Sequence, residues 1–252
     1  MAMDSASIAG GDPAPADAGS PALEDPAIRN SAGFRANALI DMIGRIHFIL
    51  QGNVADYRSF VSSLQDPAVS LPLLSVDNAV GHDRMLSEAE RLLHNVLTAM
   101  STRVDQQRRF MNKYFADDST LTVSYSDRVK AVFAADLLAE FLKRLRNQLT
   151  HYKFPVAQSR LTMGAESYSV RMVLPTSALL ANGEWSSDVR EWIASHGTEL
   201  DIFDAADEYA IRADQFDLWL ASQIRAKYAK DILTYEQARD EAVRRRRIAF
   251  GV

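Results

Sequence analysis

Arg146, Asn147 and His151 are the residues of this chain whose types and spacing best suit chemistry. A guanidinium is permanently cationic and forks onto phosphate oxygens, and an imidazole gives and takes a proton near neutrality. Together they could clamp a phosphate and move a proton, which is what cleaving an RNA strand requires. The plainer reading is that cationic groups in a last helical turn complement the helix dipole and cap its carbonyls, a role His151 and Lys153 also suit.

The element that must position them is residues 129–155. Val129, Phe133, Leu137, Phe141, Leu145 and Leu149 fall four apart, and Val132, Leu138 and Leu142 widen that row into a stripe. This is the pattern of one helix with a single face in a core. Pro155 ends it and biases Phe154 away from helical angles. Helical geometry also limits the site. Positions five apart, at ~100° per residue, lie about 140° from each other in azimuth, so Arg146 and His151 do not share a face. Asn147 and His151, four apart, do. A working site therefore needs a frayed last turn or a second copy of the helix.

The run Arg146-Asn147-Gln148-Leu149-Thr150-His151 resembles the Arg, polar residue, short spacer, His signature of the HEPN superfamily of small helical-bundle proteins. That resemblance is confined to residues 129–155. It implies a motif near the end of a long helix, two protomers that bring their motifs together, and a metal-independent endoribonuclease. In that scheme His151 is the general base on the ribose 2′-hydroxyl, Arg146 stabilises the developing phosphorane, and Asn147 orients the pair. The products are a 2′,3′-cyclic phosphate and a free 5′-hydroxyl, and the setting is phage defence or a toxin system. One toxin branch carries a Tyr two positions after the His. Here Tyr152 follows His151 directly and Lys153 takes that place, so regulation through such a Tyr is not carried over.

Arg103, Arg108, Arg109 and Lys113 form a basic set on an earlier helix. A solvated face explains them. In the functional version Arg108, Arg109, Lys113 and Lys153 guide an RNA backbone towards Arg146 and His151.

Composition narrows the classes. With 252 residues, 47% hydrophobic and 24% charged, the chain is expected to be a soluble globular protein with a real core. It has no cysteine, so no disulfide framework, thiolate metal site or thiol nucleophile can be proposed. A net charge of -5 argues against a protein that coats nucleic acid by bulk electrostatics. No secretory signal or bilayer-length apolar run is read, and a cytoplasmic location is expected.

Elsewhere, residues 1–30 are rich in Ala, Pro, Ser, Gly and Asp and read as disordered. Residues 31–64 read as a long helix that Gly44 and Gly52 weaken, with a bend or break expected near Gly52. His47 lies among apolar neighbours and reads as a hydrogen-bonded core residue. Residues 66–81 read as a connector. A capping box at Ser87 and Glu90 starts the next helix near Ser87, with a pattern that reaches back as far as Asp83; it runs to 115, and His94 takes no role. Asp117-Asp118-Ser119 reads as a turn, since no third acid stands at metal-ligand spacing. Glu140 and Arg144 are spaced to pair. Residues 156–175 alternate as a β-hairpin, the only strand signal. Residues 185–195 and 200–228 read as helices, the second with Asp201, Asp204, Asp207, Glu208, Asp214 and Asp217 on a solvated side. The last helix, 234–248, carries Arg244 to Arg247, which point all round it. A solvated or intramolecular role is expected for them. RNA binding without cleavage is the competing reading of that tail.

The expected fold is mainly α: a bundle of long helices with one small β-hairpin and a helical C-terminal extension. The expected division is a disordered segment 1–30, a HEPN-like bundle 31–155, and residues 156–252 packed on it. No cofactor and no metal is expected. The leading function is an RNA-cleaving homodimer. The alternative is a non-catalytic helical scaffold that uses the bundle for dimerisation or for docking a protein partner.

Overall fold

The computed structural model describes residues 25–151, 157–164, 167–182 and 184–250. It is mainly helical, with long helices and a small antiparallel sheet of three strands. The chain divides into two compact units, one of residues 46–217 and one of the residues before and after them.

Aspartate and asparagine set most of the helix starts. Asp66 caps α3 (Pro67–Leu74) by accepting from the Ala68 amide at 2.8 Å, with Pro67 in the first turn. Asn78 caps α4 (Ala79–Tyr114), and Asp118 caps α5 (Ser119–Val129). The connector expected over 66–81 is thus largely helical, and α4 begins eight residues before Ser87. The Asn78 side chain accepts from the Gly81 amide, a stronger local stop than the capping box proposed downstream. α2 (Ala32–Ser63) runs unbroken through Gly44 and Gly52. Leu50, Val54 and Tyr57 are buried along it, and packing of that stripe outweighs the ~1 kcal/mol that a glycine costs a helix.

The helix expected over 129–155 is in fact two. α5 passes into a widened π turn at Lys130–Ala134, the chain breaks at Ala135–Asp136, and α6 (Leu137–His151) follows. Asp136 causes the break. Its carboxylate accepts from the Leu138 and Ala139 amides, both at 3.3 Å, and is held by Arg212 at 2.7 Å. An aspartate that bonds the backbone ahead of it starts a helix more readily than it continues one.

In the unit of residues 46–217, one core gathers α2, α4, α6, the sheet, and helices α7 (Thr176–Asn182), α8 (Ser187–Ser195) and α9 (Ile202–Lys227). Phe141 of α6 is fully buried and packs on Trp185 and Trp192, ring centres 5.4 and 5.1 Å away. α4 and α6 run antiparallel. Arg103 of α4 lies over Phe133, just ahead of α6, while Glu90 accepts from the Ala157 amide, just after it.

Strands β1 (Gln158–Met163) and β2 (Tyr168–Pro175) form the expected hairpin. The expectation missed β3 (Glu199–Asp201), which pairs with β2 over Val173–Pro175. Three residues are too few to show alternation. In the other unit, α1 (Pro26–Arg29) packs on α10 (Ala229–Phe250). Gly33 is required there, because a Cβ would lie 2.1 Å from the Asp231 carbonyl oxygen. No helix among the described residues is long and apolar enough to cross a membrane.

Candidate functional site

α6 carries the motif, and its anchoring is explicit. Leu138, Phe141, Leu142 and Leu145 are buried, and Leu149 packs against the same core. On the opposite side Arg144 donates from Nε to Glu140 at 2.9 Å and from Nη1 to the Glu184 carbonyl at 2.5 Å, and Ser186 donates to Glu140 at 3.1 Å. The expected Glu140–Arg144 pair is therefore present and ties α6 to the segment before α8.

Arg146 is half-buried and Asn147 exposed, one turn beyond that anchor, and Arg146 Nη1 donates to Asn147 Oδ1 at 3.2 Å. His151 is the last residue of α6, and its side chain lies outside the described set. Because α6 stays helical through His151, positions 146 and 151 lie about 140° apart in azimuth and roughly 7.5 Å apart along the axis. The last turn is not frayed. Within one protomer the two positions do not share a helical face.

The RNA-guiding set is not gathered at the motif within one protomer. Arg108, Arg109 and Lys113 are exposed on α4, and the Lys113 ammonium lies 4.9 Å from the centre of the Tyr114 ring. Glu90 marks the level of the chain just after α6, and these residues stand roughly 27–35 Å further along α4 at ~1.5 Å per residue. Lys153 lies outside the described residues. Arg244 and Arg245 both pair with Glu241, at 3.4 and 2.9 Å, in line with the intramolecular role expected of that tail.

A second polar cluster was missed. Arg103 and Asp217 were read as parts of solvated faces, yet their side chains are 1% and 2% exposed. Arg103 grips Asp217 with two nitrogens, Nε to Oδ2 at 2.9 Å and Nη2 to Oδ1 at 2.5 Å, and donates to the Ala213 carbonyl at 3.3 Å. Gln107 donates to the same carboxylate. His47 is not a core residue. It is half-exposed, with Nδ1 3.3 Å from Asp217 and Nε2 3.2 Å from Asp214. The Arg103 guanidinium lies 5.7 Å from the Phe133 ring centre and 5.5 Å from that of Phe216. Burial opposes the charge on Arg103, but the hydrogen bonds and charge of Asp217 outweigh it and hold the guanidinium above its ordinary range. Burial likewise raises the Tyr125 and Tyr209 hydroxyls beside the cluster.

A sequence signal for this cluster existed. Val96, Met100, Arg103, Gln107 and Phe110 step by four and three along one face of α4, so Arg and Gln occupy places where the stripe is otherwise apolar. Asp217 interrupts the row Ala213, Asp217, Leu220, Ile224 in the same way. Through these bonds the cluster ties α2, α4 and α9 together. No group of His, Cys, Asp and Glu among the described residues is arranged to hold a metal ion.

Fold and site thus define a mainly α-helical protein with a three-stranded sheet, bearing an Arg-Asn pair near the C-terminal end of an anchored helix. No family model, curated protein or solved structure matches the chain.

Proposed function

We propose that the chain is a HEPN-like, metal-independent endoribonuclease that works as a homodimer. The observation that supports this best is the placement of Arg146 and Asn147. They are bonded to each other, Arg146 half-buried and Asn147 exposed, near the end of a helix whose other side is locked by Phe141, Leu145 and the Arg144–Glu140 pair. A guanidinium held this way meets a phosphate without rearranging. His151 takes the proton of the ribose 2′-hydroxyl, the alkoxide attacks the adjacent phosphorus, and the 5′-oxygen leaves. Arg146 of one copy carries the charge developing on the phosphorane while His151 of the other does the proton transfer, which the 140° separation of the two positions favours. The setting would be phage defence or a toxin system.

The test is incubation of the purified chain with mixed RNA in EDTA, beside His151→Ala. Fragments ending in 2′,3′-cyclic phosphate, produced by the parent chain and reduced at least 10²-fold in the variant, are expected. Equal cleavage by both would remove the assignment and leave a helical scaffold protein.

A further inference from the structure

We propose that strand β1, an outer edge of the sheet among the described residues, pairs antiparallel with β1 of a second copy of this chain, about a twofold axis at Leu161. This rests on the homodimer part of the reading above.

The sheet has the order β1-β2-β3, so β1 and β3 are its edges. β3 covers β2 only over Val173–Pro175. Beyond it, Gln65 closes the exposed side of β2. Its Oε1 accepts from the Val170 amide at 3.2 Å and its Nε2 donates to the Val170 carbonyl at 2.7 Å. This shows which way the ladder points. Val170 turns both backbone groups away from β1, so its partner in register, Leu161, turns its own N–H and C=O away from β2, towards the outer edge. Among the described residues no hydrogen bond from another element meets them.

Edges left like this are normally blunted by proline, lysine or a bulge. β1, Gln-Ser-Arg-Leu-Thr-Met, has neither residue and pairs with β2 in unbroken register. Leu161 is 39% exposed and Met163 65% exposed, although they share a face with positions whose β2 partners, Val170 and Met172, are buried. That face lacks one more strand's worth of cover.

Symmetry and charge then choose the register. A twofold axis normal to the sheet keeps each side chain on its own face, so one residue must sit opposite its own copy. An axis at Arg160 would set two guanidinium groups opposite each other with Arg171 beside each, and the single Glu199 carboxylate bonded to each Arg160 offsets that only in part. An axis at Thr162 shortens the overlap. An axis at Leu161 places leucine against leucine and Met163 against Ser159 on the core-side face, with Arg160 against Thr162 on the other. It also makes Leu161 a hydrogen-bonded pair with its own copy, in keeping with its outward backbone groups.

The experiment is the mass of the full chain in solution by light scattering at about 50 μM, for the parent and for Leu161→Pro. Proline at 161 removes only an outward N–H and keeps every β1–β2 bond. A dimer for the parent and a monomer with unchanged circular dichroism for the variant are expected. The chain has no cysteine, so Leu161→Cys and Gln158→Cys each carry one thiol, the first beside its copy and the second roughly 20 Å from its copy along the strand. A short bismaleimide should link Leu161→Cys at least tenfold faster than Gln158→Cys, which decides the matter even where the proline variant fails to fold. A monomeric parent, a Leu161→Pro chain that keeps the dimer mass, or equal linking of the two thiols overturns the proposal. The ribonuclease reading fails separately, when His151→Ala cuts RNA as well as the parent whatever the mass.

Discussion

Arg103 and Arg146 sit on antiparallel helices that line the same core, and their surroundings differ in kind. Arg103 points into apolar packing between Phe133 and Phe216, and its charge survives there because Asp217 takes two of its nitrogens and Ala213 a third contact. Arg146 stands at the rim, half-buried, bonded to the exposed amide next to it. The same side chain is a structural bolt in one place and a half-buried rim group in the other. Desolvation makes the difference: a buried charge must have its donors met inside the fold, while a charge at the rim keeps part of its hydration.

The strongest way to break this contrast is Arg103→Ala. It strands the Asp217 carboxylate at 2% exposure with Gln107 and His47 alone, and removal of one partner from a buried pair costs about 3–5 kcal/mol. Urea unfolding should show that loss. The double change Arg103→Met with Asp217→Leu should recover a large part of it, since two apolar side chains of similar size need no ionic partner. A cost under about 1 kcal/mol for Arg103→Ala would mean that the cluster does not hold the helices.

The matching change at the rim, Arg146→Ala, should behave the other way. Unfolding stability should fall by no more than about 1 kcal/mol, since Arg146 is half-buried and not sealed in the core. RNA cleavage should fall by roughly 10²–10³, the loss of one preorganised charge on the transition state, or about 2.7–4 kcal/mol. If Arg146→Ala destabilised the fold as much as Arg103→Ala, the two sites would be alike and the rim would be structural.

Residue order was legible where one physical rule acts locally. The stripe of Leu138, Phe141, Leu142 and Leu145, the β1–β2 hairpin and the Glu140–Arg144 pair all follow from spacing of 3.6 or 2 residues. What escaped depends on partners far away in sequence. Asp136 breaks the long helix with help from Arg212, 76 positions later, and Arg103 is buried only because Asp217, 114 positions on, is there to meet it. A polar residue on an otherwise apolar helical stripe belongs to the core and brings a distant partner with it. For the site itself, helical spacing already set positions 146 and 151 about 140° apart, and the helix that runs through His151 keeps them so.

Asp201 extends the contrast to a carboxylate with no cationic side chain bonded to it. It caps α9, accepting from the Phe203 amide at 3.0 Å and the Asp204 amide at 3.2 Å. Burial raises its pKa, and the Asp204 charge adds to that. The two amides and Arg171 act against the rise without cancelling it. The folded chain therefore holds a proton at a pH where the unfolded chain has released it. This contribution is fully present below the unfolded pKa and is lost as pH rises through the folded one. Asp201→Asn keeps a capping oxygen and removes the charge, so above that window the variant should melt higher than the parent. Near pH 3, where both side chains are neutral, the two should converge. Melting temperatures of both chains from pH 3 to 7 check this. A difference that stays constant across the range, or a variant that melts lower at pH 7, would show that burial does not govern this carboxyl.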